Sequence, residues 1–212
     1  MVRTAEGAAQ AEPAGTTEPA GAHTRAVEIV CLRHAESVNV LTGASGAVPL
    51  APLTERGRAQ AAALAGQVRV GQVYASRAVR ARQTADALGA PVTVLPQLAE
   101  MSIGRREGQI DTALRDETAD VLRAWVVDGD LDRRVADGES GREVLERMTA
   151  ALTRVAAAGG SPAVVGHVGS LTLALSVLCG LGGAVWGAPM PHAVPFAVHW
   201  DGSRWHCPRW PG

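Results

Sequence analysis

The chain of 212 residues contains no lysine, so all 20 of its basic residues are arginines. A phosphate site in this protein would have to use arginine forks, histidine or backbone amides, because the lysine of a nucleotide-hydrolase P-loop is missing. Cysteine is also scarce: Cys31, Cys179 and Cys207 are far apart and lack C-x-x-C spacing. This pattern disfavours both a disulfide framework and a structural zinc site.

The chain also lacks an excess of charge of either sign, since its formal net charge is −1. It therefore has no general electrostatic attraction to nucleic acid or to an anionic membrane. One uncharged stretch runs from Arg154 to Asp201, and its segment Val168 to Trp186 is long enough for a transmembrane helix. Gly180, Gly182 and Gly183 interrupt that segment and no basic residues flank it, which favours a helix buried in a soluble α/β core.

Residues 1–24 have no apolar core of a signal peptide and are rich in alanine, glycine, glutamate, threonine and proline. We predict that they form a disordered N-terminal extension, and that the protein is cytoplasmic. The remainder, residues 25–212, is predicted to be one domain, because 47% hydrophobic residues suffice for a single buried core. The pattern does not specify an oligomeric state.

Short apolar runs alternate with helical patterns along this domain. The predicted strands are 27–32, 73–75, 92–95, 163–166, 194–200 and 204–207. The predicted helices are 54–68, 79–88, 111–127, one capped by Ser140 that runs to 158, and one that contains 171–178. Residues 41–52 and 97–110 are predicted loops. Strands that alternate with helices predict an α/β fold, a three-layer sandwich whose mainly parallel central sheet carries helices on both faces.

Several polar side chains directly follow predicted strands. Arg33 and His34 follow the first strand, Ser76 the second, and His167 the fourth. Because ligands of parallel sheets bind beyond the carboxyl ends of the strands, we expect these residues to converge on one crevice. Arg80, four residues after Ser76, is the arginine of its helix best placed to face inward. Guanidinium groups at such a crevice favour an anionic ligand such as phosphate.

Six motifs in a fixed order support this interpretation. They are LRHAES (32–37), PLTERGRAQA (52–61), SRAVRARQTA (76–85), LAEMSIGRREG (98–108), GESGREV (138–144) and GHVGSL (166–171). In this order the motifs resemble the histidine phosphatase superfamily, also called phosphoglycerate mutase-like. The resemblance covers residues 27–208, nearly the whole predicted domain.

The resemblance implies a phosphatase of the histidine acid phosphatase type that hydrolyses a small organic phosphate monoester. His34 is implied to attack phosphorus and become a phosphohistidine. Arg33, Arg80 and His167 are implied to hold the phosphoryl oxygens. Glu100 is implied to protonate the leaving oxygen and then to activate water. No metal or other cofactor is expected, because the two arginines supply the positive charge and would repel a cation.

The sequence departs from the family pattern at two positions in the site. Val40 stands six residues after His34, where the family often has an asparagine that binds phosphate, and we expect Asn39 to substitute through a local shift. Val168 replaces the glycine that usually follows the second histidine, and a β-branched residue there should narrow the pocket roof.

Two further carboxylates, Glu36 and Glu107, are rival candidates for the acid. We expect Glu107 to order its loop instead, because two arginines adjoin it. Substrate specificity is expected in the segments 38–52 and 97–138, which match the family least. The candidate substrate contacts there are Trp125, Arg105, Arg106, Arg133 and Arg134.

Three other functions are open on the sequence. A phosphoglycerate mutase-type phosphoryl transferase would need a longer arginine-rich lid than residues 105–138, although two arginines near its end keep that option. A protein phosphohistidine phosphatase would be smaller and would tend to lack the acid supplied by Glu100. A non-catalytic phosphate-binding relative would explain Val40 and Val168, but not the complete set of catalytic side chains.

Overall fold

The central sheet has six strands, and a computed structural model describes it within residues 26–212. In chain order the strands are β1 (Val27–Arg33), β2 (Gln72–Ala75), β3 (Val92–Val94), β4 (Pro162–Gly166), β5 (Phe196–Trp200) and β6 (Trp205–His206). Their spatial order is β3-β2-β4-β1-β5-β6. The first four strands of that order pair in parallel, whereas β5 and β6 pair antiparallel. The predicted extension over residues 1–24 lies outside the described residues.

Within the described residues, six α-helices lie between these strands. They are α1 (Val38–Thr42), α2 (Glu55–Ala62), α3 (Val79–Asp86), α4 (Thr112–Arg123), α5 (Gly141–Ala158) and α6 (Val168–Leu178). Short 3-10 turns occupy Pro96–Leu98, Gly104–Arg106 and Gly182–Val185, and a π-helical turn at Ala124–Asp128 continues α4.

Alternate side chains of the central strands supply two cores on opposite faces of the sheet. Ile29 and Cys31 of β1 pack on the face that carries α5 and α6. Leu32, which follows Cys31 in sequence, packs on the other face with small residues of α3 such as Ala81 and Ala85. Because successive side chains of a strand point to opposite faces, one apolar run fills both cores. The predicted three-layer α/β sandwich with a mainly parallel sheet is confirmed.

Several element boundaries differ from the prediction. The helix predicted over 54–68 begins after its Thr54 cap but ends at Ala62, and a left-handed Gly66 (φ 76°) closes the turns that follow. The short α1 directly follows the first motif and runs into the predicted loop over 41–52. Five residues are too few to show helical periodicity, and the left-handed Gly43 ends the helix at once.

The uncharged segment after β4 forms α6, whose first eight residues after Val168 are all buried. This helix lies in the core against α5 and ends at Leu178, eight residues before Trp186. Over residues 26–212, no helix combines the length and the apolar character needed to cross a membrane.

Candidate active site

The strand ends that carry polar side chains lie side by side. Arg33 at the end of β1 is in register with Gly166 at the end of β4, and the backbone amide of His34 donates to the Gly166 carbonyl at 3.0 Å. His167 follows immediately, so the ring centroids of His34 and His167 are only 5.1 Å apart. Parallel pairing with this register therefore brings together two imidazoles that are distant in sequence.

Arg80 bridges the two imidazoles. Its Nε donates to Nε2 of His34 at 3.1 Å, and one Nη donates to Nδ1 of His167 at 3.2 Å. The side chain is 1% exposed, and the carbonyls of Ala47 and Val48 accept from its terminal nitrogens at 2.7 and 2.8 Å. Arg80 thus faces inward as expected from its spacing.

Val48, which accepts from Arg80, has a backbone φ of 30°. A β-branched residue rarely adopts a positive φ, and such strain costs on the order of 1–3 kcal/mol. The surrounding contacts hold it, because the Val48 amide also donates to the Glu107 carboxylate at 3.3 Å. Backbone strain is therefore stored in the loop that positions Arg80.

The hydrogen bonds of His34 define its tautomer. Nδ1 lies 2.7 Å from the carbonyl oxygen of Ala35, an acceptor only, so Nδ1 carries the proton. Nε2 then keeps the lone pair that accepts from Arg80. Burial, followed by the nearby His167 and Arg80, lowers the pKa of His34 well below 6.5. The imidazole is neutral near pH 7, which is the nucleophilic form.

His167 has the opposite arrangement of nitrogens. Nδ1 accepts from Arg80, so Nε2 carries the proton and donates to the Ser76 hydroxyl at 2.7 Å. That hydroxyl oxygen also accepts from the backbone amide of Ala78 at 3.2 Å. Burial, followed by the charge of Arg80, lowers the pKa of His167 well below 6.5. Ser76, at the end of β2, therefore orients the second imidazole.

Arg33 contributes a second guanidinium to the same cavity. One Nη donates to the Met190 carbonyl at 3.1 Å, while its buried Nε has no partner among the described residues. The cavity has a volume of about 380 Å³ and is also lined by His34, Arg80 and Glu100. An unpaired buried donor beside such a cavity indicates a site for an acceptor-rich anion.

The Glu100 side chain lines this cavity, and its carboxylate lies at the start of α6. Its carboxylate accepts from the backbone amides of Gly169 at 2.9 Å, Ser170 at 2.8 Å and Met101 at 3.0 Å. Free amides at a helix N-terminus are ready donors to a carboxylate. The Glu100 side chain is thereby held in one place beside the anion site.

Arg147 of α5 fixes the backbone around Glu100. Its guanidinium donates to the carbonyls of Gln97 at 2.7 Å, Ala99 at 2.8 Å and Glu100 at 3.2 Å. The same group pairs with Glu139 at 2.7 Å. Arg147 could not be predicted as a site residue, because no local pattern connects α5 to a segment so far away in the chain.

The two rival carboxylates have other partners. Glu36 accepts from the Thr54 hydroxyl at 2.8 Å and lies 3.5 Å from the Arg56 guanidinium. Glu107 accepts from the backbone amides of Ile103 at 2.9 Å and of Val48. It orders its loop as expected, but through backbone amides rather than through the adjacent arginines.

Asn39 and Val40 both line the cavity, and so does Val168. The Asn39 side chain is buried, and its Oδ1 accepts from the Ser37 hydroxyl at 2.7 Å. This bond leaves the Nδ2 group of Asn39 as the donor that can serve a ligand. Val40 is 40% exposed and presents an apolar side chain instead.

The five candidate substrate contacts in the segment 97–138 are wrong, since none of them lines the cavity. Trp125 is 1% exposed in the core, and its indole Nε1 donates to the Arg133 carbonyl at 2.9 Å. The remaining arginines with ion pairs face carboxylates elsewhere: Arg105 pairs with Asp137, Arg106 with Asp111 and Glu117, and Arg134 with Glu143. Burial of the large indole and local ion pairs explain these positions.

Two other residues near the site were missed. Arg115 of α4 lines the cavity. His192, in the segment before β5, has its Nδ1 2.8 Å from the backbone carbonyl of His34, so that it donates there and braces the end of β1. Both arrive from segments without a sequence signal.

Among the residues of the structure, 26–212, no three histidine, cysteine or acidic side chains are grouped so as to hold a metal ion.

Two proteins of similar sequence are named probable phosphoglycerate mutases. The probable phosphoglycerate mutase GpmB of Yersinia pestis (strain Pestoides F) is 33% identical over 166 residues, which cover 73% of this chain and 76% of that protein. GpmB of Enterobacter sp. (strain 638) is 34% identical over 139 residues, covering 61% of this chain and 64% of that protein.

Solved structures share the fold. A mycobacterial glucosyl-3-phosphoglycerate phosphatase matches with a TM-score of 0.73 at 25% identity, covering 88% of this chain and 99% of that chain. The alpha-ribazole phosphatase from Shigella flexneri matches with a TM-score of 0.69 at 25% identity, covering 88% and 96%.

The fold and the site together define an α/β protein in which Arg33, His34 and Arg80 line one cavity, and the ring of a second histidine, His167, lies 5.1 Å from that of His34. The family model of the histidine phosphatase superfamily (branch 1) matches residues 29–211. The chain belongs to this superfamily, as its motifs indicate.

Proposed function

We propose that the protein is a metal-independent phosphatase that hydrolyses a small organic phosphate monoester through a phosphohistidine. The observation that carries this proposal is the lone pair on Nε2 of His34, which is directed at Arg80 across 3.1 Å while Nδ1 is bound to the Ala35 carbonyl. A neutral imidazole oriented at both nitrogens is a prepared nucleophile.

In the first step the Nε2 lone pair attacks phosphorus in line, and the bond from phosphorus to the ester oxygen breaks. Arg80 releases Nε2 of His34 and donates to a phosphoryl oxygen instead, together with the free Nε of Arg33. These cations stabilise the charge on the equatorial oxygens. Glu100 in its protonated form gives a proton to the departing alcohol oxygen.

In the second step water attacks phosphorus of the phosphohistidine, and the bond to Nε2 breaks. Glu100, now a carboxylate, accepts the proton of that water, and inorganic phosphate and neutral His34 are released. His167 keeps its Nε2 proton bound to Ser76, so its role is to orient Arg80 rather than to transfer a proton.

A direct test uses p-nitrophenyl phosphate with an excess of chelator. We expect turnover at mildly acidic pH, loss of turnover in His34→Ala, and near wild-type turnover in the matched control His206→Ala, an exposed histidine of β6. Rapid quenching in alkali should trap a phosphate on His34. Full activity of His34→Ala, or dependence on an added metal ion, would contradict the proposal.

A phosphoglycerate mutase activity is a second candidate, because the relatives named above carry that name. It is tested by adding a bisphosphoglycerate to a monophosphoglycerate and following isomer exchange. Exchange faster than release of inorganic phosphate would favour the mutase, and hydrolysis without exchange would favour the phosphatase.

A further inference from the structure

A second cavity continues the anion site along α6. It has a volume of about 300 Å³ and shares three wall residues, Ala119, Leu122 and Val168, with the first cavity. Its other walls are mainly apolar: Thr172, Val185, Trp186, Gly187 and Pro189. The two cavities form one groove that leads from the phosphoryl site to Trp186, and together they fall in the size range of small-molecule sites.

The groove leaves large apolar side chains open to solvent beside a charged centre. Val40 is 40% exposed and Trp186 is 38% exposed, and Leu122 is only partly buried. No acidic side chain lines the second cavity. Apolar surface that stays exposed in a concave site indicates contact with an apolar ligand.

A third guanidinium, that of Arg115, lies on this groove besides those of Arg33 and Arg80. Arg115 lines the first cavity next to Gly43, where an added Cβ would lie 3.0 Å from one Nη of Arg115. Gly43 has a φ of 74°, so its conformation and its missing side chain both make room for the guanidinium. Within residues 26–212 no carboxylate pairs with Arg115, whereas Arg106 and Arg123 nearby in sequence both have acidic partners.

We infer that the alcohol part of the substrate is an elongated, mainly apolar body that bears a carboxylate. The body lies between Val40, Leu122 and Val168 and extends toward Trp186, while the carboxylate pairs with Arg115. This inference rests on the proposed phosphatase activity. Val168, the departure from the family pattern, then serves as the apolar wall that joins the two cavities.

A series of n-alkyl phosphates from ethyl to octyl tests the groove, because the basicity of the leaving alcohol hardly changes along the series. We expect kcat/KM to rise by about twofold for each half-buried methylene and about fourfold for each fully buried one. Leu122→Ser should flatten this dependence. Val177→Ser, an exposed valine of α6 outside the groove, should leave it unchanged.

The role of Arg115 is tested by comparing each longer alkyl phosphate with its ω-carboxylated counterpart. The wild-type enzyme should prefer the carboxylated ester, and Arg115→Gln should reduce that preference by about tenfold, the size of one charge-assisted hydrogen bond. Arg123→Gln is the matched control on the same helix, because its partner Asp128 lies outside both cavities.

The outcomes separate this inference from the proposed function. If p-nitrophenyl phosphate is turned over but kcat/KM of the alkyl phosphates does not depend on chain length, the apolar groove is overturned and the phosphatase activity stands. Equal effects of Arg115→Gln on both ester types overturn the carboxylate pairing. No turnover of any ester refutes the phosphatase itself. If Leu122→Ser fails to fold, the wild-type series and Val40→Ser decide the question.

Discussion

Lowering the pH from 7.5 to 5.5 should destabilise this protein through His34 and His167. Burial is the main cause that lowers the pKa of both side chains well below 6.5. In the unfolded chain their pKa returns to about 6.5. Between the folded and the unfolded pKa, only the unfolded state takes up the protons. The stability that these neutral histidines provide is therefore present above pH 6.5 and is lost as the pH falls toward the folded pKa.

The magnitude follows from this difference in proton binding. One pH unit below the unfolded pKa lowers the free energy of unfolding by about 1.4 kcal/mol for each histidine that stays neutral in the folded state. His34 is 3% exposed and His167 is 1% exposed, so solvent screening is small. At pH 5.5 the two together should lower the free energy of unfolding by about 3 kcal/mol.

Urea denaturation at both pH values, in a buffer without phosphate, measures this loss. The double variant His34→Gln, His167→Gln serves as the reference, because His192 and every other titrating group is common to both proteins. The wild type should lose about 3 kcal/mol more than the double variant, and each single variant about half of that. An equal loss in wild type and double variant would refute the neutral, buried state of the two imidazoles.

Three further predictions concern the site and its support. Arg80→Gln should lower kcat/KM by about 10²–10³, the usual cost of one donor to a developing oxyanion, as measured with p-nitrophenyl phosphate. Glu100→Gln should slow alkyl phosphates more than p-nitrophenyl phosphate, because only poor leaving groups need the proton. Arg147→Gln should lower kcat by up to about 10² as the Glu100 backbone loosens, and should lower the free energy of unfolding by about 2–3 kcal/mol.

Each of these predictions has a control or an opposing result. Arg82→Gln, exposed on the helix of Arg80, should keep wild-type kinetics. Equal slowing of both ester types by Glu100→Gln would contradict its role as acid. Arg142 lies on the same helix as Arg147 and forms an exposed ion pair with Asp132. Arg142→Gln should lower the free energy of unfolding by less than about 1 kcal/mol and leave kcat unchanged. If Arg142→Gln and Arg147→Gln changed kcat and the free energy of unfolding equally, this would contradict the role of Arg147 in holding the Glu100 backbone.

Much of the fold could be predicted because its signals are local. The apolar run from Val27 to Leu32 lacks alternation, and this is the pattern of a strand covered on both faces. The caps at Thr54 and Ser140 were predicted from single residues, and both side chains accept the expected backbone amides. Helix ends were less accurate, because a left-handed glycine or a widened last turn responds to packing rather than to periodicity.

In the candidate site, too, some residues could be predicted from the sequence and others could not. Its inner members, Arg33, His34 and His167, come from the rule that ligands gather at the carboxyl ends of parallel strands, and the structure brings all three together. The candidate contacts around Trp125 failed, since a sequence shows that a side chain is large but not whether it lines a pocket or fills a core.

The sequence by itself therefore determined the layers of the fold, the strand ends that meet, and the inward direction of Arg80. Only the tertiary structure decided which carboxylate faces the cavity, that Arg147 holds its backbone, that Arg115 lines the cavity, and that an apolar groove leads away toward Trp186. The physical reason is distance along the chain. Strand periodicity and caps arise between neighbours, whereas these contacts join segments whose approach depends on the packing of the whole domain.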